Sequence, residues 1–176
     1  MDQLKSLIED SGFEGIGEFD PQFLKVKQEV RDMCSVNVCH EYNTSWTCPP
    51  ALGELDYFQE LFGTYTGGYV FQTVAQMEDD FDFEAIQAAS ELHASRFYEL
   101  LQKTEGQRDG IYLFTAGRCK LCETCTYPDH PCVHPDKAFP SLEACGLVVA
   151  EVCDLAQVPY YHGPHTIAFI GGALWR

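Results

Sequence analysis

Four cysteines in a short, proline-rich stretch constrain this chain more than any other feature. They are Cys119-Lys-Leu-Cys122-Glu-Thr-Cys125 and then Pro131-Cys132, a C-x2-C-x2-C-x6-C run. Three thiolates spaced two residues apart and turned inward wrap one face of an inorganic cubane. Ferredoxin-type sequences use this triplet with a further cysteine beside a proline. Cysteines that merely fill a core have no reason to recur at this spacing. The surrounding stretch, 116–140, holds four prolines and no hydrophobic periodicity. A loop of about 25 residues inside a compact domain needs something to order it, and bound metal would do so.

A second set lies upstream in the loop 34–50: Cys34-x4-Cys39-x8-Cys48-Pro49-Pro50, with Tyr42 and Trp46 as candidate walls against water. Ser141 reads as the cap of a helix whose first turn carries Cys145, where the positive end of the helix dipole favours a thiolate. Gly146 beside it leaves room for a bulky inorganic group. Cys34, Cys39, Cys48, Cys119, Cys122, Cys125, Cys132 and Cys145 then make two sets of four, the number that two [4Fe-4S] clusters require. Which set takes Cys132 and which takes Cys145 stays open. Cys153, on the same helix face as Val149, reads as a core cysteine.

Zinc is the alternative metal, since thiolates suit zinc and iron–sulfur alike. Four-cysteine zinc sites, however, come as two C-x2-C pairs and not as a triplet. His130 and His134 flank Cys132 and are placed to tune a cluster, and His93 reads as a core residue; no histidine is assigned as a ligand. Other cofactor signatures are missing. There is no C-x3-C-x2-C, no H-E-x-x-H and no phosphate-binding loop, and Gly15 and Gly17 lack the third glycine of a dinucleotide fingerprint.

The chain has 176 residues, 45% of them hydrophobic, enough for one domain over 1–176. Its net charge of −16 argues against a nucleic-acid partner and suits docking to a basic patch on a redox partner protein. No apolar run is long enough to span a bilayer. The start, Met1-Asp2-Gln3-Leu4-Lys5, has no basic segment followed by an apolar one, so a cytoplasmic location is expected. Nothing here fixes the oligomeric state or a reaction, and whether the chain is an enzyme stays undecided.

Patterning predicts helices over 2–9, from Pro21 to about Met33, over 81–104 with Ile86, His93, Phe97 and Leu100 on its apolar face, and from Ser141 to about Gln157. Residues 12–17 read as a turn or short strand and 55–62 as a helical turn. Strands are predicted at Tyr69–Met77, Ile111–Thr115 and Thr166–Ile170. This order predicts an α/β domain with a mainly parallel sheet flanked by helices, two long cysteine-bearing loops, and metal beyond the carboxyl end of a strand.

Two blocks together resemble a known family: Cys39-His-Glu-Tyr42-Asn-Thr-Ser-Trp46-Thr-Cys48-Pro49-Pro50, and Cys119-x2-Cys122-x2-Cys125 continuing to Pro131-Cys132-Val-His-Pro135-Asp-Lys137-Ala-Phe-Pro140-Ser141-Leu-Glu143-Ala-Cys145-Gly146. The family is the cysteine-rich "predicted metal-binding protein" group of anaerobic bacteria and archaea (domain of unknown function 2284). The resemblance runs from about Val26 to Leu174. Arg118 departs from the small residue or proline expected before Cys119. The resemblance implies metal binding in an oxygen-poor setting and no particular reaction. An iron–sulfur electron carrier or redox accessory subunit is the expectation. A structural zinc-binding or metal-ordered interaction module is the alternative.

Overall fold

A computed structural model describes residues 2–176 of the chain. Helix α1 (Asp2–Asp10) leads into strand β1 (Glu14–Phe19), followed by helices α2 (Gln28–Val36) and α3 (Leu55–Phe62), strand β2 (Gly67–Gln76), helix α4 (Phe83–Lys103), strand β3 (Ile111–Phe114), helix α5 (Val149–Leu155) and strand β4 (Thr166–Trp175). The four strands form one sheet in the order β1-β2-β4-β3.

Every neighbouring pair in that sheet is antiparallel, which corrects the expectation of a mainly parallel sheet. The crossover argument holds in part: β2 and β3, joined by α4, both run antiparallel to β4 and so point the same way. The last strand, β4, enters between them. Its first residue, Thr166, pairs with Gln76 at the end of β2, and its Gly172 pairs with Phe114 at the end of β3. The chain thus leaves β3 and returns to the sheet at the same end, and that geometry forces an antiparallel strand. The second cysteine loop does leave from the carboxyl end of β3, but no parallel switch-point crevice exists there.

Alternation along the strands gives the sheet two apolar faces. Tyr69, Phe71, Leu113 and Ala173 pack with Leu4, Ile8, Phe97 and Leu100 of α1 and α4. Val70, Phe114, Ile170 and Leu174 pack with Phe58 and Phe62 of α3 and with Val152 and Cys153 of α5. The long helix begins at Phe83, where the side chain of Asp82 accepts the Ala85 N–H, two residues past the predicted start at 81. His93, Phe97 and Leu100 of its expected apolar face are buried, and Ile86 is half-buried.

The helix predicted from Pro21 is broken. Pro21–Phe23 is a single 3-10 turn capped by Asp20, and Leu24 is already extended. The reason is tertiary. Gln59 of α3 offers its side-chain carbonyl to Val26 N–H at 3.0 Å and its amide to the Leu24 carbonyl at 3.2 Å, as a neighbouring strand would. Lys27 N–H reaches the Gly146 carbonyl at 2.8 Å. This backbone pairing and the burial of Leu24 outweigh local helix propensity, and α2, which carries Cys34, starts only at Gln28.

Candidate metal centres

Both cysteine loops are built from turns pinned by backbone and side-chain contacts. Asn37 ends α2 in the left-handed conformation, and its side chain accepts the Tyr42 N–H at 2.9 Å. Asn43 N–H returns to the Pro49 carbonyl at 2.8 Å. The second loop is closed at its base, where Thr115 N–H donates to the Pro140 carbonyl at 3.1 Å and Thr115 bridges to Ser141. Helix α4 holds its first turn: Lys120 N–H donates to Tyr98 Oη at 2.7 Å, and Lys120 Nζ donates to Ser90 Oγ at 2.8 Å.

The loops are also tied to each other. Thr47 Oγ1 accepts the Cys119 N–H at 3.1 Å. Trp46 Nε1 donates to the His130 carbonyl at 3.1 Å, and the Trp46 ring meets Tyr127 edge-on. Tyr127 donates to Asn43 Oδ1 at 2.7 Å. Arg118 Nε donates to Glu41 Oε1 at 2.9 Å. Each loop therefore supplies walls to the other's cavity.

Cys119, Cys122, Cys125 and Cys132 line one narrow cavity of about 20 Å3, closed by Ser45, Trp46 and Thr47 of the first loop and by His134, so a cluster enters it only if the four thiols spread apart. All four are half-buried. Cys132 also lines a shallow outer hollow formed by Trp46, Pro128, His130, Pro131 and Pro135, so this cavity lies one residue from solvent. Cys34, Cys39 and Cys48 line a second cleft of about 300 Å3 with Val30, Met33, Val38, Glu41, Tyr42, Pro49, Gly117, Arg118 and Glu143. Trp46 thus walls the four-cysteine cavity, and Tyr42 walls the three-cysteine cleft.

Cys145 lines neither. It sits in a single 3-10 turn, Glu143–Cys145, with no exposed surface, among Phe62, Phe114, Leu142 and Leu147. Ser141 does cap this turn, accepting the Ala144 N–H at 3.2 Å, but the helix proper begins only at Val149. The space beside Gly146 is filled. Its φ is +84°, and a Cβ there would press on Leu55 and Val26. Cys153 is fully buried, with Gln72 Nε2 directed at its sulfur at 3.9 Å.

Burial pushes the thiols of Cys34, Cys48 and Cys119 above their ordinary range. At Cys34 the neighbouring Cys39 and Glu143 add to the rise and Arg31 opposes it. A hydrogen bond from Ser45 opposes it at Cys48; at Cys119 the Leu121 N–H and the Tyr98 hydroxyl do. These groups are thiols at neutral pH, so a metal must displace their protons on binding. Among the described residues, no three His, Cys, Asp or Glu side chains are gathered closely enough to grip a single ion. A bound metal must either draw the cysteines in or be a group large enough to reach them where they stand. The donor set itself, thiolates without a converging carboxylate cage, fits a soft metal or an iron–sulfur group.

The sequence reading missed Tyr98, Thr47, Glu41 and Glu143. Tyr98 carries no local signal because it lies 21 residues before Cys119 on another element. Arg118 showed itself only as a departure from the expected small residue.

Residues 17–175 match the family described as "predicted metal-binding protein (DUF2284)". The chain belongs to that family of predicted metal-binding proteins. No curated protein and no solved structure matches it. Among the described residues, no helix is long and apolar enough to cross a membrane.

Proposed function

We propose that this protein is an iron–sulfur protein with two cysteine-held centres, and that it passes electrons as a carrier or as a redox accessory subunit. One centre is held by Cys119, Cys122, Cys125 and Cys132, the other by Cys34, Cys39 and Cys48. The observation that carries the reading is that the four cysteines of the C-x2-C-x2-C-x6-C run line a single cavity, which is what that spacing serves in a four-iron cluster.

When bound, such clusters supply one-electron chemistry; the chain's own residues do the rest. Trp46, Thr47 and Ser45 limit water at the four-cysteine cavity. The Thr47–Cys119 hydrogen bond joins the two centres, because Thr47 directly precedes Cys48 in the chain. The hollow outside Cys132 brings a partner close to that centre. The exposed Asp129 on its lining, with the net charge of −16, suits a partner with a basic docking patch.

The test is reduction of anaerobically purified protein with dithionite, followed by visible and EPR spectra. Bleaching with a half-integer-spin signal that a candidate acceptor reoxidises supports the reading. Centres that accept no electron at any accessible potential would leave a structural zinc or metal-ordered interaction module in its place.

A further inference from the structure

We propose that the cleft beside Cys34, Cys39 and Cys48 is a binding site for a small external ligand that completes the coordination of the metal group held by these three thiolates. The proposal rests on the iron–sulfur reading and extends it from electron transfer to ligand binding.

A four-iron cluster takes one protein ligand per iron, four in all. The first cavity has four cysteines, and the second cleft has three. The fourth thiolate expected from the sequence, Cys145, is fully buried in the core among Phe62, Phe114, Leu142 and Leu147. Its own N–H is held by the Ser141 and Leu142 carbonyls, and the Gly146 carbonyl holds Lys27. Turning this sulfur outward would empty a packed site.

Nearby oxygen donors are largely occupied. Glu41 Oε1 accepts from Arg118 at 2.9 Å, and its Oε2 accepts from Thr44 Oγ1 at 3.0 Å. Glu143, exposed at the rim, is the carboxylate that competes with an external ligand. The cleft itself has the character of a small-molecule site. Small-molecule sites combine apolar walls with a few placed polar groups, and the lining of this cleft does the same. Val30, Met33, Val38 and Pro49 form the walls, and Tyr42 and Arg118 are the polar groups. The ligand class that fits is a compact molecule with one anionic oxygen or sulfur donor and a short hydrocarbon body.

The experiment uses anaerobically reconstituted protein carrying Cys119→Ala, Cys122→Ala and Cys125→Ala together, so that the first cavity keeps only Cys132 and the reduced EPR signal comes from the three-cysteine centre, with cyanide as the probe. Saturable cyanide-induced shifts of the g-values are expected, unchanged when Glu143→Ala is added. Cys145→Ala should retain the same iron as its parent. Iron present with no spectral response to cyanide overturns the ligand site and leaves the iron–sulfur reading standing. A response that appears only after Glu143→Ala shows that Glu143 fills the position, and also overturns it. Loss of this centre's iron in Cys145→Ala does the same. A parent protein that holds zinc and no iron overturns this proposal and the iron–sulfur reading together. The cyanide titration does not depend on the folding of the Cys145 variant.

Discussion

Tyr98 Oη accepts the backbone N–H of Lys120 at 2.7 Å, and its hydroxyl is one of the groups that oppose the burial-driven rise of the Cys119 thiol. The Lys120 N–H donates to the phenolic oxygen, so the hydroxyl's single proton is left to point toward that sulfur. Burial pushes the phenol well above its ordinary range, so it stays protonated. A helix on one side of the sheet thereby reaches the base of the four-cysteine cavity.

Hydrogen bonds to cluster sulfurs stabilise the more negative, reduced state and so raise the potential. Tyr98→Phe should keep both centres and lower the midpoint of one. A differential of about 1 kcal/mol corresponds to about 40 mV for one electron. A redox titration followed by EPR reads this directly; an unchanged midpoint would show that the hydroxyl does not act on the centre.

Cys122→Ser and Cys153→Ser separate ligand from bystander. The first replaces a soft sulfur at the four-cysteine cavity with a hard oxygen and should lose that centre's iron. The second removes a fully buried core sulfur. It should keep the iron of the parent and cost about 1–3 kcal/mol in stability. Iron analysis and thermal unfolding of the two variants decide it, and a halving of iron in Cys153→Ser would refute the assignment.

Removing the metal should loosen residues 34–50 and 116–140 and spare the sheet. Strands β2 and β4 pair along ten residues between two buried faces, whereas the loops rest on turns and a few cross-links. Hydrogen exchange on loaded and metal-free protein should show protection lost in both loops and kept in β2 and β4. Equal protection in both loops would mean that they are ordered without metal.

His93 gives the fold an acid-sensitive element. Its ring is buried among Phe13, Phe71 and Phe169. Nδ1 lies 3.2 Å from Thr73 Oγ1, and Nε2 has no partner. Burial first, then Arg96 and Lys120, hold its pKa down to about 3 from 6.5; Glu14, 3.8 Å from Arg96, is the nearby acid. The folded state therefore takes the neutral ring. Its contribution is complete above about pH 6.5 and is lost as pH falls toward about 3, on the order of a few kcal/mol. Denaturant titrations from pH 7 to pH 4 should show a shallower loss of stability for His93→Phe than for the parent. Identical slopes would contradict this.

Electron transfer to an acceptor with a basic docking face should slow as salt is added. Screening shortens the reach of a −16 surface from about 30 Å at 0.01 M to about 10 Å at 0.1 M ionic strength. Stopped-flow oxidation of dithionite-reduced protein across a salt series measures it, and a rate independent of salt would argue against electrostatic docking.

The helices α1 and α4 and the alternating strand β2 were legible in the sequence because each buries a face through its own periodicity. Pairing order was not. That β4 inserts between β2 and β3 depends on where the chain re-enters the sheet after 51 residues of loop and helix, and no local pattern records it. The cysteine run pointed, by spacing alone, to four cysteines that line one cavity. The placement of Cys145 was hidden because a helix-start cysteine reads the same whether its sulfur meets metal or, as here, Leu142 and Leu147. The helix from Pro21 failed for a related reason. Gln59, 33 residues away from Val26, claims the backbone that the helix would have used.

The content of iron and acid-labile sulfide in anaerobically purified protein tests the central claim most directly. The account predicts brown protein with about eight irons per chain and a matching amount of sulfide, as two four-iron clusters require. Colourless protein with stoichiometric zinc and no sulfide would contradict it.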